Sequence, residues 1–351
     1  MLSVTVRTVK SPKRLRDFFV TDNIPNRADV AAAEVVEIMA KPVVLMIGPY
    51  PDWDMASMEE AYDLRKLWLA PDKEVFLAAT APEARAIATR GELGASGDLI
   101  DRCPRLEIVA CYGVGVDAID LKRAKQRGVR VTNTPDVLTD DVADFALALI
   151  LAHLRKIVAG DAHVRSGAWR SGNLPLGVSL QDKTLGVLGF GRIGRAIARR
   201  AQGFGVTLAY CDVAPAAGVE AAYCPDPVSL ARASDILVAA VSGGEATRGI
   251  VNAAVFDALG PAGLFVNVSR GSVVDEPALI DALAGRRIGG AALDVFHNEP
   301  AIDPRLLSFD NLLLQPHQSS GTVETRKAMG KLVRDNLAAH FAGHPLLTPV
   351  V

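Results

Sequence analysis

The stretch Thr184-Leu185-Gly186-Val187-Leu188-Gly189-Phe190-Gly191-Arg192-Ile193-Gly194 decides the fold. A short, mostly apolar, strand-like run leads straight into a Gly-x-Gly-x-x-Gly turn, and a helical pattern opens at Ile193 and continues to Gln202. A glycine-rich turn alone says little. Between a strand and a helix it has a specific use: the first glycine makes the tight turn, and the second lets backbone N–H groups approach a pyrophosphate. The third lets the helix pack on the strand, and the helix N-terminus favours negative charge. Such a site also calls for an acid about 20 residues further on, at the end of the second strand. Asp212 stands there, directly after Val206–Cys211. Gly189, Gly191, Gly194 and Asp212 are therefore candidate dinucleotide ligands. The alternative for the glycines is a purely structural turn.

On both sides of this turn, short β-branched runs alternate with helical patterns, the signature of parallel sheets covered by helices. The series after it continues with strands near Val206–Tyr210, Ile236–Ala240, Leu264–Val268, Gly290–Val295 and Leu312–Gln315, and a helix over Pro277–Ala284. An earlier series has strands near Val43–Ile47, Ala86–Thr89, Leu106–Ala110 and Val129–Thr132, with helices over Met55–Trp68 and Leu121–Arg127. Between the series, Thr139-Asp140-Asp141 can cap a helix start. The long apolar helix expected there, Val142 to about Val164, is apolar on more than one face and must be covered on several sides, so it reads as the link between lobes and a subunit contact. A final helix, Val323 to Phe341, is expected to return to the first lobe. The fold class is α/β: two Rossmann-like or flavodoxin-like lobes with parallel sheets and the active site in the cleft between them. The expected division is 39–139 with 319–351 for the substrate, and 140–318 for the dinucleotide.

Length and composition agree with two compact lobes: 351 residues, half of them hydrophobic. The 38 basic and 40 acidic residues leave a formal charge of −2, too little field to draw nucleic acid or an anionic membrane. Phe145 to Leu154, the longest apolar stretch, is about half of the roughly 20 residues a membrane span needs. Cys103, Cys111, Cys211 and Cys224 show neither CxxC pairing nor metal-ligand spacing, so no metal is expected and a reducing cytoplasm fits best. Arg7, Lys10, Lys13, Arg14 and Arg16 precede any acid, a bias also found in transit peptides. The expectation for 1–38 is a poorly ordered extension.

In an open parallel sheet, ligands bind outside the carboxyl ends of the strands. Arg270 follows Leu264–Ser269, Glu299 comes soon after Asp294-Val295-Phe296, and His317 follows Leu312–Pro316. An arginine can hold a carboxylate through two parallel charge-assisted hydrogen bonds and polarise a neighbouring carbonyl. A histidine can protonate the alcohol oxygen as hydride reaches carbon, and a nearby carboxylate fixes such a ring and favours its protonated form. Together they suit reduction of a 2-keto acid. Singly, each has an ordinary alternative: a surface ion pair, a loop acid, a satisfied histidine.

The chain resembles the D-isomer-specific 2-hydroxyacid dehydrogenases, through Tyr112-Gly113-Val114-Gly115-Val116-Asp117, Thr132–Asp140, the glycine turn, Val268-Ser269-Arg270-Gly271-Ser272, Leu293-Asp294-Val295-Phe296 and Pro316-His317. The resemblance implies that Arg270, Glu299 and His317 are catalytic, that Asp294 lies near the nicotinamide carboxamide, and that Arg192 and Ile193 lie at the pyrophosphate. It also implies that the backbone of Val114 and Gly115 receives the substrate carboxylate, a task for which exposed N–H groups in a short loop are suited. Thr134–Asp144 and Arg165–Trp169 are most similar to the glyoxylate/hydroxypyruvate reductases of this family. Its formate dehydrogenases carry glutamine where Glu299 stands. A phosphoglycerate dehydrogenase-like enzyme stays open as an alternative, as does a non-enzymatic NAD-sensing, corepressor-like protein, although no basic DNA-facing run accompanies it. The expected partners are a small 2-keto or 2-hydroxy acid and a second copy in a homodimer. For the cofactor, no arginine or lysine occurs from Val206 to Pro225, whereas reductases of this type often place an arginine after the second strand for the NADPH phosphate. Asp212 therefore predicts a preference for NADH, with NADPH as the alternative; its own alternative is a cap on the following turn.

Overall fold

The computed structural model describes residues 41–351; the extension expected over 1–38 lies outside the described residues. Five strands, β1 (Val43–Met46), β2 (Asp63–Lys66), β3 (Ala86–Arg90), β4 (Ile108–Tyr112) and β5 (Arg130–Thr132), form a sheet in the order β2-β1-β3-β4-β5. Seven more form the second: β6 (Thr184–Leu188), β7 (Thr207–Cys211), β8 (Ala222–Tyr223), β9 (Ile236–Ala239), β10 (Leu264–Asn267), β11 (Gly290–Leu293) and β12 (Leu312–Leu314). Their order is β12-β11-β10-β9-β6-β7-β8. Every pairing between these strands is parallel, with Leu188 opposite Cys211 on one side and Ala239 on the other. Strand order reverses between β6 and β9. That reversal opens a crevice at the carboxyl ends, where the chain leaving β6 is Gly189.

Both faces of each sheet are buried, as all-parallel sheets require. The central strands are accordingly near-continuous apolar runs rather than alternating ones; Ile108–Tyr112 and Ile236–Ala239 are buried at every position. The apolar layers facing inward from the two sheets merge through the helix Thr139–Leu154, which buries Val142, Ala146, Leu149 and Ile150, among others. It packs against the helix Arg192–Ala201 and against β10 and β11, which accounts for its being apolar on more than one face. The helix Val323–Phe341 packs on β4 and on the helix Asp52–Ala61. Beyond it, Val350 and Val351 bond to Val131 of β5.

Two expected elements differ. The helix expected over Met55–Trp68 ends at Ala61, and Asp63–Lys66 is an edge strand paired with β1. Leu64 is its one apolar residue, so this half-buried edge gives almost no alternating pattern to read. The helix expected over Val142–Val164 is broken: Thr139–Leu154 is followed by Lys156 at φ +54°, then by a separate helix, Ile157–Arg165. A non-glycine residue there costs about 1–2 kcal/mol. The returning chain supplies the compensation, since the Val178 N–H donates to the Leu154 carbonyl at 2.9 Å. A side chain at Gly177 would stand 2.6 Å from that same carbonyl oxygen. The contact spans many residues, and no local period reports it. No helix among the described residues is long and apolar enough to cross a membrane.

Candidate active site

A cleft opens between the carboxyl ends of the two sheets, lined by Arg90–Glu92 at the end of β3, Tyr112–Gly115 at the end of β4, Ala240–Gly243 after β9 and Val268–Arg270 after β10. His317, Ser319 and Ser320 line it from beyond β12, and Ile193 from the start of its helix.

Gly189 has φ +91°, a conformation that glycine adopts without penalty. A Cβ there would lie 2.6 Å from the Val241 N, and one on Gly194 would overlap the Gly189 carbonyl oxygen. A Cβ on Gly191 would meet nothing within 4 Å. The first and third glycines are thus needed for the turn and for helix packing, and the second faces open space at the N-terminus of Arg192–Ala201. That is the cradle a pyrophosphate needs, and the residues present fit a dinucleotide. The Arg192 side chain is exposed and pairs with Asp136 at 2.8 Å. Asp212, at the end of β7, accepts from the Phe190 N–H at 2.6 Å and from the Val213 N–H at 2.7 Å. It ties the glycine turn to the second strand and also caps the turn that follows it.

His317 lies at φ +55°. Asp294 holds that strained backbone: its carbonyl accepts the His317 N–H at 2.9 Å, and its carboxylate accepts the N–H groups of Gln318 at 2.7 Å and Ser319 at 2.9 Å. Burial pushes the Asp294 carboxyl up, against these hydrogen bonds, and the net shift is upward. Asp294, expected near the carboxamide, is wholly buried beneath the loop that carries His317. The His317 ring meets Glu299 through Nδ1 and Oε2 at 2.7 Å, and the other Glu299 oxygen accepts the Phe296 N–H at 2.8 Å. Burial raises the Glu299 carboxyl, but the bond to His317, its charge, the Phe296 amide and the Arg270 charge outweigh it and leave Glu299 below the usual carboxylate range. An ionised Glu299 accepts a hydrogen bond from Nδ1–H, which leaves Nε2 pointing away from it.

The Gly113-Val114-Gly115 loop is tied back by its carbonyls. The Gly113 carbonyl accepts from Thr134 N at 2.9 Å, that of Val114 from Asn133 Nδ2 at 2.8 Å, and that of Gly115 from the Cys111 thiol at 3.5 Å. Burial pushes that thiol up to about 12, which keeps it a neutral donor. The N–H groups of Val114 and Gly115 have no acceptor among the described residues, and both residues line the cleft. Arg270 lies beside them, with Nη1 on the Ser269 carbonyl at 2.8 Å and Nε on Asp117 at 3.2 Å.

Arg270, His317, Val114 and Gly115 are thus brought together on one cleft, with Glu299 behind His317; Asp212 and Asp294 act through the backbone of neighbouring loops. Asp117 joins Arg270 at this cleft, and its place in the loop that follows β4 is the sequence signal for it. Arg326 and Met329 also line the cleft, but they come from a helix flank, for which no strand-end signal exists.

A family model for the D-isomer specific 2-hydroxyacid dehydrogenase, NAD binding domain, matches residues 147–319. Over 308 residues the chain is 46% identical to a hydroxyphenylpyruvate reductase of Plectranthus scutellarioides, covering 88% of this chain and 98% of that one. Over the same length and coverage it is 47% identical to a glyoxylate/hydroxypyruvate reductase A of Arabidopsis thaliana. Among solved structures, the NADPH-dependent glyoxylate/hydroxypyruvate reductase of Sinorhizobium meliloti, in complex with NADP and malonate, is 43% identical. It superposes with a TM-score of 0.82, covering 89% of this chain and 97% of that one. The chain belongs to the D-isomer-specific 2-hydroxyacid dehydrogenase family. It is a dehydrogenase that works with a nicotinamide dinucleotide.

Proposed function

We propose that this enzyme reduces a small 2-keto acid, glyoxylate or hydroxypyruvate, to the D-2-hydroxy acid, with residues 39–139 and 319–351 serving the substrate and 140–318 the dinucleotide. The observation that carries the reading is the convergence of the Glu299-paired His317, Arg270 and the free amides of Val114 and Gly115 on one cleft. The substrate carboxylate sits against those amides and the Arg270 guanidinium, which fixes the keto group toward His317. His317 gives its proton to the carbonyl oxygen, while Glu299 orients the ring and balances its charge. When bound along Gly189–Gly194, with Arg192 and Ile193 at the pyrophosphate and Asp294 at the carboxamide end, the reduced nicotinamide supplies the hydride. A second reading follows from the hydroxyphenylpyruvate reductase relative: an aryl side chain in the same cleft.

NADH is the preferred cofactor in this reading. Among the described residues no cation pairs with Asp212, so a 2′-phosphate there would meet like charge without a counter-ion. One like-charged pair near the surface costs about a few kcal/mol at an effective dielectric of about 20, enough for at least tenfold discrimination. The NADPH dependence of the Sinorhizobium meliloti relative makes this a strict test. The enzyme is also read as a homodimer. Ile157, Val158, Val164, Trp169 and Leu176 are all more than half exposed on the arm after the helix break, an apolar surface that a second copy would cover.

Initial rates with glyoxylate, hydroxypyruvate and hydroxyphenylpyruvate, each with NADH and with NADPH, test the proposal. An aryl keto acid turned over a hundredfold more efficiently than both small ones overturns the substrate. A clear NADPH preference overturns the role of Asp212.

A further inference from the structure

Arg270 reaches the cleft from β10, but the groups that hold its guanidinium come from both sheets. Its Nη1 donates to the neighbouring Ser269 carbonyl at 2.8 Å, and its Nε donates to Asp117, after β4, at 3.2 Å. Both side chains are mostly buried, at 24% and 19% exposure. Gly243, after β9, closes over the pair: a Cβ there would stand 2.8 Å from both the Arg270 Cγ and the Asp117 Oδ2. With Nε and Nη1 engaged, the plane of the guanidinium is fixed, and Nη2 is the nitrogen that faces the Gly115 loop. A flexible arginine has many rotamers, and an isolated charge at this depth would be costly to hold without a counter-ion.

We propose that Asp117 is a positioning residue for Arg270. It locks the guanidinium plane across the cleft so that the free edge meets the substrate carboxylate at the Val114 and Gly115 amides. The inference rests on the reading of Arg270 as the carboxylate-binding group. It makes the alignment of Arg270 a property of both sheets together: Asp117 belongs to one and Arg270 to the other, so the arginine is set only when the two approach. Asp117 also neutralises Arg270 before substrate arrives, and the incoming carboxylate takes Nη2 without displacing it.

The test is a double-mutant cycle on the intact enzyme with Asp117→Ala, Arg270→Ala and the pair, following kcat/KM for the keto acid, the Kd of oxamate and the Kd of NADH. Asp117→Ala is expected to lower kcat/KM about tenfold to a hundredfold and weaken oxamate to match, with NADH binding unchanged. In the Arg270→Ala background it should add less than about threefold, because the group it positions is gone. Asp117→Asn keeps an acceptor for Nε and should recover much of the loss; Asp117→Ser replaces Asp117→Ala in the cycle if the alanine variant does not fold. A wild-type Asp117→Ala enzyme, or a double variant whose loss is the product of the single losses, overturns the positioning role while leaving the reading of Arg270 intact. Wild-type rates in Arg270→Ala itself overturn both.

Discussion

Gly115→Ala separates the fold from the chemistry. The new methyl would overlap Arg270 Nη2 outright and would lie 2.6 Å from its Cζ and 2.8 Å from the Asp117 Oδ1. Non-bonded heavy atoms rest about 3.5 Å or more apart, so the guanidinium must retreat by about 2 Å. The obstructing atoms are the end of a flexible side chain and not backbone, so the retreat is cheap for stability, and the melting temperature should fall by no more than about 2 °C. For the reaction it is not cheap, since a misplacement of about 1 Å can cost about a hundredfold. The expected result is a drop in kcat/KM of about a hundredfold, or about 2.7 kcal/mol of transition-state stabilisation, with NADH affinity unchanged. Steady-state kinetics on the keto acid, fluorescence titration of NADH and a thermal melt on one preparation supply all three values. Activity within threefold of wild type, with an unchanged melting curve, would refute the alignment of Arg270 against the Gly115 loop.

The contrasting change is Gly189→Ala, whose methyl would strike the Val241 backbone at a positive φ; a melting temperature lowered by several degrees together with loss of NADH binding is expected. His317→Ala should cut turnover by about 10²–10⁴ and leave the NADH Kd within twofold, as read by kinetics and titration. The Glu299 carboxyl is held below its ordinary value, so its contribution to stability is present above the usual glutamate range and is lost as pH falls through the lower folded value. Glu299→Gln should therefore flatten the fall in melting temperature on the acid side of the usual glutamate range, and an unchanged slope would count against the pair. Ile157→Asp with Val158→Asp should give a monomer by light scattering if the exposed arm is the subunit contact.

The central strands could be read because they are buried on both faces, and an unbroken apolar run such as Ile236–Ala239 needs no partner to be recognised. The glycine turn was equally legible, since Gly189 and Gly194 are demanded by local backbone geometry. Edge elements were not: Asp63–Lys66 is a strand because β1 offers it hydrogen bonds, and its own side chains say little. The helix break at Lys156 belongs to the same class, being fixed by the distant Gly177-Val178. At the site, residue type and position after a strand singled out Arg270, Glu299 and His317. What the acids do there was less visible. Asp294 and Asp212 spend their oxygens on backbone amides, and composition does not distinguish an acid that meets a ligand from one that shapes a loop.

The helix Val323–Phe341 and the strand-like Val350-Val351 complete the first sheet's packing, yet they follow the entire second sheet in the chain. As the polypeptide leaves the ribosome, the first five strands must wait through the making of seven others before their covering helix exists. The seven-stranded half, contiguous in sequence, has no such delay and can condense as a unit. Closing so long a loop is slow even when the final state is stable, because its entropy is lost before the contacts form. Refolding from denaturant should accordingly show two phases, with the early one restoring the dinucleotide half and the late one the keto-acid cleft. During the interval the unfinished sheet leaves the inner face of β4 uncovered, which makes that interval the period when chaperones matter and aggregation competes.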